Sequence, residues 1–275
     1  IEKDISDYVD RLFEQAKKEL GKLIVAAEKN DALFFVFNPL GWQRSDIADI
    51  PHSGNSNIHV VDVSTGLPVP WQIIKKGDIP YIRIYAPNVP PVGYKVFAIV
   101  HDPRTPYDTD IIANSNIIEN TIYRLEFNSN GAITSLFDKR SNFDFAKNTK
   151  GRYINDLGSG SGSVAVENMG PVSATVKITG FSPLVHTSRI TLYQNSDRIE
   201  IDNTIEQNFS DTVTWTFGFN LNAPTTWHEE VGAIIKANLT TKGGHYSPIN
   251  ARYDWLTLNH FVDMSENNRG ITLSN

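Results

Sequence analysis

Cysteine is absent from the 275-residue chain. That excludes disulfides, thiolate metal ligands and cysteine nucleophiles, and it fits a reducing compartment, so the expected location is the cytoplasm. Positive charge is also in short supply: 25 Lys and Arg stand against 31 Asp and Glu, a formal net charge of −6. Nucleic-acid backbones are bound by basic surfaces, so no nucleic-acid partner is expected. No apolar run approaches the roughly 20 residues of a membrane-crossing helix, so no membrane partner is expected either. The opening IEKDISDYVD has neither an initiator Met nor a signal-peptide pattern, and on that ground the chain reads as a fragment.

Recognisable metal and nucleophile patterns are lacking too. The histidines at 52, 59, 101, 186, 228, 245 and 260 stand singly, with no H-x-H or H-x-x-x-H pair. His228-Glu229-Glu230 begins like a zinc-protease helix, but Gly232 stands where the second His is needed. The GSGSGS stretch at 158–163 lacks the spacing of a phosphate-binding loop, and no G-x-S-x-G elbow joins a strand to a helix. The expectation is therefore no metal and no cofactor within this chain.

What is present changes character once. Residues 2–29 place Ile5, Val9, Leu12, Phe13, Ala16, Leu20, Leu23, Ile24 and Ala27 at helical steps with charges between, which predicts one amphipathic helix. LFFVFNPLGW at 33–42 then predicts a strand covered on both faces that ends in a turn at Asn-Pro-Leu-Gly. Beyond it lie only short strands and turns. Strands are predicted near 33–38, 46–50, 58–63, 69–75, 79–86 and 94–101, then a hairpin at 122–137 around Asn-Ser-Asn-Gly. Others are predicted near 172–182, 187–195, 197–207, 211–220, 231–239, 255–261 and 270–274, with GSGSGS as a flexible loop. This is a mainly β fold: an antiparallel β-sandwich preceded by one long helix. The expected division is a helix at 1–31, a first small β module at 32–102, a linker at 103–116 rich in Pro, Asp and Asn, and a β-sandwich at 117–275.

Carboxylates are plentiful, among them Asp138, Asp156, Glu200 and Asp202, but the alternating Glu200-Ile-Asp202 is more simply the solvent face of a strand. Of the five tryptophans, Trp227 is expected to be the most exposed, because it follows a Pro-Thr-Thr turn. Trp227, His228, Glu229 and Asp156 are thus the candidate substrate-binding residues, an aromatic beside groups able to hydrogen-bond a sugar.

FVFNPLGWQRSD at 35–46, VPWQ at 69–72, VPPVGYKVF at 89–97, IENTIYRLEFNSNGAITSLFDK at 118–139 and LNHFVDMSENNRGITLSN at 258–275 together resemble the C-terminal region of glycoside hydrolase family 38, the zinc-dependent α-mannosidases. The motifs keep order and spacing over essentially the whole chain. The resemblance implies a galactose-mutarotase-like sandwich, with the opening helix as the last of a helical middle domain. It implies hydrolysis of α-mannosides with retention, by an aspartate nucleophile and a bound zinc whose ligands lie in an upstream barrel. None of those motifs occurs here, so the implied role is a non-catalytic piece. Its implied partners are the catalytic α/β barrel and helical domain of its parent, and carbohydrate. The resemblance also implies further strands past 275, leaving an exposed sheet edge open to pairing with a second copy. The alternatives are a stand-alone carbohydrate-binding module and an epimerase-like enzyme, the latter requiring a His and a Glu that face each other in a cleft.

Overall fold

The structure is a computed structural model and describes residues 2–23, 32–53, 57–101, 107–158 and 160–275. The predicted helix end at 24–29, the linker start at 103–106 and Ser159 of GSGSGS lie outside the described residues. In chain order the elements are α1 (Glu2–Leu23), β1 (Ala32–Asn38), β2 (Arg44–Pro51), β3 (His59–Asp62), β4 (Leu67–Val69), β5 (Trp71–Lys76), β6 (Ile79–Val89) and β7 (Gly93–Val100). There follow β8 (Ile112–Ala113), β9 (Ile117–Glu119), β10 (Tyr123–Phe127), β11 (Ile133–Asp138), β12 (Phe143–Asp144), β13 (Gly162–Met169), β14 (Ser173–Gly180), β15 (His186–Tyr193) and β16 (Ile199–Ile205). The last are β17 (Thr225–Glu230), β18 (Ala233–Lys236), β19 (Phe261–Glu266) and β20 (Arg269–Ser274). The fold is mainly β and antiparallel, with a single N-terminal helix. No helix among the described residues is long and apolar enough to cross a membrane.

The chain forms two compact units, one of residues 1–122, 164–178 and 187–204, the other of 123–163, 179–186 and 205–275. In the first, the sheet β1-β7-β3-β4 faces the sheet β2-β6-β5. Alternation sends Val60, Ile82, Ile84, Phe97 and Ile99 into one shared core, onto which Phe34, Val36 and Trp71 pack. Polar groups fix the connections. Buried Asp62 accepts hydrogen bonds from Ser64 N (2.9 Å) and Ser64 Oγ (2.6 Å) and from Lys95 Nζ (2.6 Å), which sets the turn after β3. Burial pushes the Asp62 carboxyl up, but Lys95 and Ser64 outweigh it and hold it below the usual carboxylate range.

The Asn-Pro-Leu-Gly turn has a similar anchor. Asn38 is buried; its Nδ2 donates to the carbonyls of Trp42 (2.7 Å) and Pro90 (3.0 Å), while its Oδ1 accepts from Leu40 N (3.1 Å). The strand before it, however, is an edge strand rather than one covered on both faces: β1 pairs with β7, and Phe37 is exposed. Its run stays apolar because Phe35, on the far face, meets Tyr94 edge-on at 6.2 Å and lies beside Gly21 of α1.

The first unit also holds most of the sheet β13-β14-β15-β16. Buried Gln72 on β5 clamps it: Oε1 accepts from Val172 N and Ser173 N, both 2.9 Å, and Nε2 donates to Ser173 O at 3.1 Å. Gly170 is required here, since a Cβ would lie 2.7 Å from Gln72 Oε1.

The second unit contains β10-β11-β12 and the sheet β18-β17-β19-β20. Four predicted elements differ from the structure. Residues 211–220 make isolated bridges, Asp156 to Thr216 and Ala146 to Phe219, rather than a ladder, and the backbone at Gly218 lies too close to Lys147 O to admit a side chain. The strand expected at 231–239 is a hairpin, with Val231-Gly232 as a two-residue loop at φ +31° and +82°. No strand forms at 255–261 until Phe261. GSGSGS leads directly into β13; a Cβ at Gly160 would lie 2.4 Å from Ser182 O, so this glycine serves close backbone approach.

Candidate functional site

The sequence candidates fall on two elements of the second unit. Trp227, His228 and Glu229 follow one another on β17, so His228 points to the face opposite the other two. His228 is fully buried. Its Nε2 lies 2.9 Å from the Tyr246 hydroxyl, which donates to Glu230 Oε1 at 3.2 Å. With that proton spent on Glu230, the hydroxyl accepts from Nε2–H, and Nδ1 is left as a buried acceptor with no hydrogen bond. On the other face, Glu229 Oε2 and His260 Nδ1 are 2.5 Å apart. The hydrogen bonds with His260 and with the Gly232 N–H hold the Glu229 carboxyl below its ordinary range.

Trp227 is half-buried, with His245 edge-on at 6.0 Å and Lys236 Nζ 6.0 Å from its ring centroid. The expectation that it is the most exposed tryptophan is corrected: Trp42 (63%) and Trp255 (74%) are the exposed ones. Asp156 is buried and caps its own loop, accepting from Tyr153 N (3.1 Å) and Gly158 N (2.9 Å). The structure thus joins Trp227 and Glu229 on one face, turns His228 inward, and gives Asp156 a local structural task. An epimerase-like pairing of His228 with Glu229 is excluded by their opposite faces.

A better-formed site lies wholly in the first unit. A groove of about 1260 Å³ opens over the sheet of β2, β5 and β6 and the sheet β13–β16. Its lining follows strand alternation: Thr175 and Lys177 on β14, Arg189, Thr191 and Tyr193 on β15, Glu200 and Asp202 on β16. The Glu200-Ile-Asp202 alternation is therefore a strand's polar face as expected, and that face looks into the groove.

The groove's polar groups are organised before any ligand arrives. Buried Arg83 donates to both Asp49 oxygens at 2.8 Å, a forked pair, and its Nη1 donates to Ser173 Oγ at 3.1 Å. Lys76 Nζ lies 3.0 Å from the same Asp49. Burial pushes the Asp49 carboxyl up, but Arg83 and Lys76 reverse this and leave it below the usual range. Two guanidinium groups lie against the Tyr193 ring, Arg83 at 5.5 Å and Arg198 at 5.0 Å from its centroid. Its hydroxyl donates a short hydrogen bond to Glu200. Burial, then that hydrogen bond, push the Tyr193 hydroxyl up to about 12. Farther along, Arg189 Nε lies 3.0 Å from both Glu167 oxygens, and Thr175 and Thr191 hydroxyls pair at 2.8 Å.

No local sequence motif announces this groove, because Arg83, Glu167 and Tyr193 are brought together only by sheet packing. Among the described residues no group of three or more His, Asp or Glu could hold an ion, so the zinc that the resemblance implies has no donor set among them.

No protein-family model and no curated protein matches the sequence. Solved structures do match. The crystal structure of an α-mannosidase from Enterococcus faecalis V583 superposes with a TM-score of 0.69 at 16% identity, over 97% of this chain and 40% of that one. A glycosyl hydrolase family 38 protein from Enterococcus faecalis gives 0.64 at 15% identity, over 90% of this chain and 38% of that one. This chain spans about two fifths of the length of the structures it matches. At such identities the likeness shows the fold: the chain has the architecture of one part of these larger glycosidases.

Proposed function

We propose that the chain is a non-catalytic portion of a retaining, zinc-dependent α-mannosidase, one that scaffolds a catalytic barrel lying outside this sequence. The observation that carries the reading is the extent of the fold match, nearly all of this chain against 40% of an α-mannosidase. The surface of α1 supports it. The apolar stripe that should bury such a helix is open, with Ile5 at 59% and Phe13 at 65% exposure. A 22-residue amphipathic helix gains most of its stability from packing, so this face fits a protein surface beyond the chain. In this reading residues 117–275 correspond to a galactose-mutarotase-like sandwich. Retention needs a nucleophilic and an acid–base carboxylate about 5–5.5 Å apart across the scissile bond; that pair and the zinc belong to the barrel.

The test is turnover of an aryl α-mannoside by this chain, with zinc or cobalt added. The expected result is no turnover with either metal. Turnover that survives purification and disappears on chelation would place the chemistry inside the sandwich and overturn the reading.

A further inference from the structure

We propose that the groove over β2, β5, β6 and β13–β16 is a binding site for a neutral, linear oligosaccharide. The argument rests on the groove's chemistry and not on the mannosidase reading, and its test reads binding where the other reads turnover.

The lining contains six Lys or Arg and five Asp or Glu, so it is close to neutral. An anion site would need a surplus of unmatched cations, yet four of the six are matched in place, Arg83 and Lys76 by Asp49, Arg189 by Glu167, Arg198 by Glu200 at 3.9 Å and Asp46 at 3.7 Å, and the other two, Lys75 and Lys177, are balanced in number by Asp78 and Asp202 of the same lining. What such pairs offer a ligand is adjacent donors and acceptors held in fixed geometry. A sugar hydroxyl is at once donor and acceptor, so neighbouring hydroxyls can accept from a guanidinium and donate to the carboxylate beside it. Tyr193 is buried with two guanidinium groups against its ring, so it cannot serve as a stacking platform, but its neutral hydroxyl remains in the network. Ile47 and Ile74 supply apolar wall for the C–H faces of sugar rings.

Size and shape point the same way. At about 1260 Å³ the groove exceeds the roughly 300–1,000 Å³ typical of small-molecule pockets. It runs across two sheets, so a chain of several sugars fits it better than a single one. An apolar ligand would leave the preformed polar groups without water or partners, at a penalty for each.

The experiment titrates the chain with disaccharides and hexasaccharides of the manno-, gluco-, xylo- and chito- series, followed by backbone NMR. At least one hexasaccharide is expected to bind, more tightly than its disaccharide. Its shifts should centre on residues 73–78 and 189–202. Arg198 and Glu200 have side chains about half exposed, so Arg198→Ala and Glu200→Gln can be made without opening the core. Each is expected to weaken binding about tenfold, while Trp227→Ala leaves it unchanged. Raising salt should have little effect, because no net charge is neutralised. Three results would overturn the proposal: no binding by any member of the panel, binding of tripolyphosphate that salt abolishes and no sugar reproduces, or sugar shifts confined to β17.

Discussion

The small sandwich of β1–β7 and the sheet β18-β17-β19-β20 are both antiparallel, and both alternate apolar with polar side chains. They differ in what the apolar face meets. In the sandwich, Val60, Ile82, Ile84 and Phe97 are fully buried against the facing sheet. In the other sheet, register places His228, Ile235, Val262 and Leu273 on one face, but the apolar members stop at half-burial. Among residues 222–275 His228 is the buried one, while Val231, Ile234 and Trp255 stand exposed. Alternation builds a two-faced sheet in each case, but only a second layer turns a face into a core.

That contrast can be broken most severely at Phe97. Phe97→Ala removes a ring stacked on Phe34 at 5.6 Å and should destabilise the chain by about 3–5 kcal/mol in chemical denaturation. Ile234→Ala, at an exposed position, should fall within about 0.5 kcal/mol. Equal effects would erase the distinction. Next in size, Gln72→Ala strands the N–H groups of Val172 and Ser173 and should cost about 1–3 kcal/mol.

Acid sharpens the comparison. Asp49 and Asp62 are held below the ordinary aspartate value of 3.8, so ionisation favours the folded state. Their contribution is fully present above that value and is lost as pH falls through the lower folded values. Asp49→Asn should flatten the decline of stability below about pH 4. Glu229 is also lowered by His260, but that pair is solvent-screened, and Glu229→Gln should leave the acid profile nearly unchanged. The one expected gain is from Val231→Asn. A β-branched residue at φ +31° is strained, and Asn before Gly232 suits a primed turn, so stability should rise by about 1 kcal/mol.

Much of the fold was legible because its signals are local. The apolar run before Asn38 and the Asn-Pro-Leu-Gly turn located β1, and Asn-Ser-Asn-Gly located the β10–β11 hairpin. Pro70 divides the strand expected at 69–75 into β4 and β5. The hairpin at Val231-Gly232 was hidden by a valine where Asn or Gly is usual, and β13 by glycines whose purpose is close packing. The site was less legible. Composition singled out Trp227 and His228, yet burial of His228 depends on Tyr246 and the sheet around it. The groove draws on strands more than a hundred residues apart, and ion pairs such as Arg83–Asp49 leave no trace in sequence spacing.

Native-state hydrogen exchange on the whole chain tests the central contrast most directly. The slowest amides are expected in β3, β6 and β7, around Val60, Ile82 and Phe97, with β17–β20 exchanging well ahead of them through local opening. Protection in β17–β20 equal to or above that of β6 and β7 would contradict it, and would mean that the half-covered sheet is as much a core as the closed sandwich.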